Sequence, residues 1–119
     1  MDSYTEGKLG EIRAEQILAE KGYEIIARNF RVAGSEIDLI ARDGDVIAFI
    51  EVKKRKKAPG ACGREAVTPA KQRRICKGAL YYMMQEGLMN RQARFDVMEI
   101  QGECVTYLEN AFPYQGPAY

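Results

Sequence analysis

Hydrophobic and polar positions change their period along the chain, and each change marks an element. From Ser3 to Lys21, Gly7, Glu11, Ala14 and Leu18 recur at helical spacing, and Gly22 follows where a left-handed residue ends a helix. Glu11 is the one charged member of that small and apolar stripe. Tyr23 to Arg31 is rich in strand formers, and Ala33-Gly34-Ser35 supplies a turn. Glu36 to Arg42 alternates, with Ile37, Leu39 and Ala41 on one face and Glu36, Asp38 and Ile40 on the other. Asp43-Gly44 is a strong hairpin signal, and Val46 to Lys53 is a third strand whose Ile47, Phe49, Glu51 and Lys53 share a face. These three strands read as an antiparallel meander.

Residues 54–67 lack a period, contain Pro59, Gly60 and Gly63, and read as a mobile basic loop. Thr68 as N-cap and Pro69 at the first helical position open a second helix, which runs to about Glu86 and stops at Gly87. Its inward stripe is Gln72, Ile75, Ala79 and Met83, again with one polar residue at the end of an apolar row. Ala93 to Ile100 and Cys104 to Leu108 are strands joined at Gln101-Gly102, and residues 110–119 form a tail that is ordered or meets a partner. The passage from the third strand through the second helix to the fourth strand is expected to be a right-handed parallel crossover. The order is helix, three strands, helix, strand, strand.

At 119 residues and 46% hydrophobic content the chain is one globular domain, 1–119. The absence of histidine removes Ser-His-Asp and Cys-His nucleophile systems and histidine-ligated metal sites, leaving carboxylates, lysines, amides and thiols for any chemistry. Cys62, Cys76 and Cys104 are few and far apart, which points to reduced thiols in a cytoplasmic protein. The longest apolar run, Val46 to Ile50, is far short of the ~20 residues that span a bilayer, so no membrane association is expected. The net charge is +1, but ten basic residues and one acid fall between Lys53 and Lys77. That local excess suggests a polyanionic partner, most simply nucleic acid; its plain alternative is a solvated basic face.

The candidate site combines Asp38 on the second strand with Glu51-Val52-Lys53 on the third. Glu51 and Lys53, two apart, project from one side of the sheet. With two loop residues in the hairpin Glu36 faces Glu51 and Asp38 lies one diagonal step away; with four, Asp38 faces Glu51. Either even loop sets an acid opposite an acid, which is unfavourable unless a cation sits between them. A three-residue loop without a bulge would put Asp38 on the wrong face. Hard oxygen ligands of this kind suit magnesium, with a neighbouring lysine to orient or deprotonate a bound water. Taken alone, a Glu-x-Lys is more simply a surface ion pair.

The arrangement resembles the PD-(D/E)xK nuclease superfamily, whose restriction-endonuclease-like core runs α-β-β-β-α-β. The chain resembles most closely the YraN-like family of small bacterial proteins, predicted relatives of archaeal Holliday junction resolvases. The matching stretches are Gly7 to Glu11, Arg28 to Arg31, Gly34 to Ile40, Phe49 to Arg55, Ala66-Val67 with Lys71-Gln72, Arg94 to Val97 and Asn110 to Phe112. The one departure is Ile37 where the superfamily label has a proline, a position without a chemical role. The resemblance implies an α/β fold with a mixed central sheet and an added C-terminal strand. It implies a magnesium- or manganese-dependent endonuclease acting on branched or structured DNA, and a homodimer.

It further implies Asp38, Glu51 and the backbone carbonyl of Val52 as metal ligands. Glu11 would reach the metal directly or through water, Lys53 would be the catalytic lysine, and Gln72 a site-positioning amide. The DNA backbone would meet Lys54, Arg55, Lys56, Lys57, Arg64, Lys71, Arg73, Arg74 and Lys77. Each assignment has a structural alternative. Glu11 could pair with a lysine such as Lys53, Gln72 could cap the helix start, and Arg94 with Asp96 could be a plain ion pair. The competing functions are a non-catalytic nucleic-acid-binding module on the same fold and a protein-interaction subunit.

Overall fold

A computed structural model describes residues 3–55, 67–101 and 104–116, with side chains from Leu9 to Lys54 and throughout the two later stretches. The element order is α1 (Ser3–Glu20), β1 (Glu24–Val32), β2 (Ser35–Asp43), β3 (Val46–Arg55), α2 (Pro69–Gln85), β4 (Gln92–Gln101) and β5 (Cys104–Phe112). The strands form one sheet in the order β1-β2-β3-β4-β5. β1, β2 and β3 are antiparallel, β4 runs parallel to β3 after the passage through α2, and β5 returns antiparallel. This mixed α/β architecture is compatible with a restriction-endonuclease-like core.

Local chemistry sets the boundaries. Thr68 is the N-cap of α2, its hydroxyl accepting from the Lys71 N–H at 3.2 Å, with Pro69 just inside the helix. Gly22 and Gly87 take positive φ after the two helices. Strands β1 and β2 close on Ala33-Gly34, both at positive φ, a two-residue turn of the type that suits a twisted hairpin. Strands β2 and β3 close on Gly44-Asp45.

Two apolar layers pack the sheet. On the α2 side lie Ile37, Ile40, Ile47, Phe49, Phe95, Val97 and Phe112, against Ile75, Cys76, Ala79, Tyr82 and Met83 of the helix. On the α1 side Leu39, Ala41, Ala48, Ile50, Met98 and Ile100 meet Ala14 and Leu18. Strict alternation along β2 therefore fails: Ile37 joins Ile40 on the α2 side instead of sharing a face with Leu39 and Ala41. The break falls at Asp38.

Helix α2 lies very close to β2. A methyl group built on Gly78 would stand 2.4 Å from Ser35 Oγ, and Ser35 Oγ donates to the Arg74 carbonyl at 2.5 Å. At the other end of the sheet Arg94 joins Asp43, Asp96 and Glu109 at 2.7, 3.0 and 3.1 Å. Asp96 also accepts from the Tyr107 hydroxyl and the Asn110 N–H. Burial and that bond to Asp96 hold the Tyr107 phenol above its usual range. Arg94 and Asp96 thus form the structural ion pair that the sequence allowed.

Several expectations shift. Lys54 and Arg55 belong to β3, and Val67 is buried in the core, so the proposed basic loop 54–67 is shorter at both ends; residues 56–66, with Lys56, Lys57, Cys62 and Arg64, lie outside the described residues. Strand β5 continues to Phe112, whose ring stacks on Phe95 at 5.2 Å, so the tail starts at Pro113 rather than residue 110. Cys76 is a buried free thiol, but Cys104 is disulfide-bonded, so the expectation of reduced thiols fails at Cys104. No described helix is long and apolar enough to cross a membrane.

Candidate active site

Strands β2 and β3 pair from Asp43↔Val46 to Leu39↔Ile50 and no further. Beyond that pair β2 continues beside β1 to Ser35, and β3 continues beside β4 to Arg55. The sheet forks there, and Asp38 and Glu51 are the first residues on the two diverging legs. The register is the one in which Asp38 stands opposite Glu51, although the turn has only two residues, because the ladder runs one pair further into the turn. Val52, having lost its ladder acceptor, donates its N–H to Asp38 Oδ2 at 2.7 Å across the fork.

Two clefts open at the fork, one on each face of the sheet, and Asp38 lines both. The α2-side cleft, about 210 Å³, is also lined by Gly34, Glu36, Glu51, Lys71, Arg74 and Ile75. The α1-side cleft, about 280 Å³, takes in Glu11, Glu15, Arg28, Asn29, Val52 and Lys54. Burial and the nearby Glu51 carboxylate push Asp38 up to about 6, against the lowering effect of its bond from Val52. Glu51 is only 7% exposed and is paired with Lys71, whose Nζ lies 2.6 Å from its Oε1.

The structure gathers some of the expected residues and separates others. Asp38 and Glu51 come together. Lys53 is half-buried one step further along the same face of β3, beside buried Glu99 in the parallel ladder. Glu11 does not join them: it is 53% exposed on the α1 side, 3.8 Å from Lys54. It shares a cleft with Asp38 but not with Glu51, so the expected convergence of the three acids does not occur. The cause is helical phase, since Gly10, Ala14 and Leu18 are buried and Glu11 lies off that line. Among the described residues, no group of three or more acids or cysteines is close enough to hold a metal.

Gln72 donates to the Val67 carbonyl at 2.8 Å and contacts the Gln115 amide, so it ties the helix start to the tail. Of the basic residues, Lys54 meets Glu11, Lys71 meets Glu51, and Arg73, Arg74 and Lys77 are exposed on α2. The Arg55 side chain and Lys56, Lys57 and Arg64 are outside the described residues. Sequence reasoning placed Lys71 on the DNA backbone and weighed Glu36 opposite Glu51, and it missed that Lys71 pairs with Glu51 inside the cleft that Glu36 also lines. The available signal was the small Gly78, seven residues on and therefore on the same face of α2 as Lys71, which marks where that helix touches β2.

Fold and cleft together define a small α/β domain with a carboxylate pair at a fork between its central strands. Comparison with known proteins places it among relatives: residues 10–100 match the uncharacterised protein family UPF0102. The UPF0102 protein of Desulfosudis oleivorans is 42% identical over 108 residues, covering 89% of this chain and 88% of that one. That of Syntrophus aciditrophicus is 43% identical over 110 residues, covering 89% and 87%. The chain belongs to the UPF0102, or YraN-like, family. It also superposes on the solved structure of SSO0001 with a TM-score of 0.44 and 15% identity, over 92% of this chain and about half of that one, 52%.

Proposed function

We propose that this protein is a magnesium- or manganese-dependent endonuclease that hydrolyses DNA phosphodiester bonds, on branched or otherwise structured DNA. The observation that carries the reading is the Asp38–Glu51 pair at the strand fork. Two carboxylates held close in a partly buried cleft repel each other, and the Asp38 value is raised first by burial and then by the Glu51 charge. The donors fit a hard divalent ion. They are all oxygen, and magnesium is commonly held by one or two carboxylates with waters and a substrate phosphate completing the shell. Lys71 already stands on Glu51 as a stand-in cation.

Asp38, Glu51 and the Val52 carbonyl would hold the ion, with Glu11 reaching it only through water from the α1 side. When bound, the ion would acidify a water and offset charge on the phosphoryl oxygens. Lys53 would orient that water from β3, and Gln72 would keep the start of α2 in place over the cleft. Arg73, Arg74 and Lys77, exposed on α2, would neutralise phosphates beside it. A homodimer addressing two strands of a junction belongs to the same proposal, and sedimentation of the protein with and without junction DNA checks it.

The test is a cleavage panel of single-stranded, duplex, flap and four-way-junction DNA with magnesium or manganese. Cleavage of at least one substrate is the expected result. Salt-sensitive binding without cleavage under any of these conditions would support the non-catalytic binding module instead.

A further inference from the structure

The α2-side cleft contains its own cation. Lys71 Nζ contacts Glu51 Oε1, and the two differ sharply in setting: the Lys71 side chain is 42% exposed and Glu51 is 7% exposed. We infer that Lys71 is an exchangeable counter-ion. It occupies Glu51 while the site lacks a divalent ion, yields it when one enters, and is then available to a phosphate at the mouth of the cleft. This inference rests on the metal-site reading above.

Three features make the exchange possible. A nearly buried carboxylate without a cation would be costly, so the metal-free protein needs an occupant. Lys71 is attached to a fixed backbone: its N–H is held by Thr68 Oγ1, and the following turn by the Ser35 bond to the Arg74 carbonyl. Exchange therefore requires only rotation of a long, partly exposed side chain. Finally, lysine holds a carboxylate as a point charge, without the two-pronged grip of arginine, and is the easier cation to displace.

Displacement also moves positive charge toward Arg74, which lines the same cleft. A phosphodiester arriving there meets two cations instead of one. Divalent ion and phosphate should consequently strengthen each other's binding, by reciprocal factors.

The experiment measures free manganese by electron paramagnetic resonance in titrations of the wild type, Lys71→Met, Lys71→Arg and Lys21→Met. Lys21 lies over the Tyr107 ring and serves as a control for the loss of one positive charge. Lys71→Met should bind manganese about fivefold more tightly than wild type, the equivalent of an ion pair at the upper end of the exposed range. Lys71→Arg should bind no more tightly than wild type, and Lys21→Met should match it within twofold. If the wild type binds manganese and Lys71→Met gains no more than Lys21→Met, the exchange is wrong and the metal site stands. If none of the four binds manganese, the metal-site reading fails and the exchange fails with it.

Discussion

Asp38 is a carboxylate in electrostatic conflict with its surroundings. It stands opposite Glu51 at the fork, accepts from the Val52 N–H, and is pushed up to about 6 by burial and by Glu51. Its ordinary value is 3.8, so between about pH 4 and 6 the folded protein holds a proton that the unfolded chain releases. Stability from this group is therefore fully present below pH 4 and is lost as pH rises through 6, by roughly 3 kcal/mol at neutral pH. Asp38→Asn, which keeps an oxygen for Val52, should melt several degrees higher than wild type at pH 7.5 without metal. It should also lose the decline in melting temperature between pH 4 and 6. Thermal melts across that range measure both, and a variant melting lower than wild type at pH 7.5 would show that Asp38 is stabilising as a charge.

At the scale of elements, the site depends on how closely α2 approaches β2. Gly78 permits a contact that any side chain would block, with Ser35 Oγ and Ile37 Cδ1 inside 3.3 Å of a methyl placed there (2.4 and 3.2 Å). Gly78→Ala should push the helix away, destabilise the fold by about 1–3 kcal/mol and break the Lys71–Glu51 contact. A denaturant midpoint equal to or above that of wild type would contradict this. Helix stops at Gly22 and Gly87, the cap at Thr68 and the alternation of β3 depend on neighbouring residues and were legible. The fork was not, since it arises where β2 follows β1 and β3 follows β4, a choice made by partners distant in sequence. For the same reason Ile37 could not be assigned to the α2 side. Glu11 was misplaced by taking it into the buried line, when Gly10, Ala14 and Leu18 are the buried positions and Glu11 is exposed. Strand β5 was read too short because Asn110, at positive φ, interrupts the pattern before Phe112 re-enters the core.

For the whole molecule, charge is distributed so that acids lie at the fork and bases on the neighbouring face of α2. Under the nuclease reading, Arg73 and Lys77 each meet a phosphate, and each contributes roughly −0.9 to the slope of log K against log salt on duplex DNA. Replacing both with Gln should flatten that slope by up to about two units. Binding measured by anisotropy over a salt series gives the slope, and an unchanged value would remove this face from the interface. The opposite end of the sheet, clamped by Arg94 and its three carboxylates, holds β5 and the hairpin end together and takes no part in the site.

The central claim is that the fork carboxylates perform divalent-dependent phosphodiester hydrolysis, and single-turnover cleavage by matched preparations of wild type, Asp38→Asn, Glu51→Gln and Lys53→Ala tests it most directly. With manganese and the preferred substrate from the cleavage panel, wild type should cut and the three variants should not, while all four remain folded and bind the DNA. Equal cleavage by all four would assign the activity to a contaminating nuclease and contradict the account.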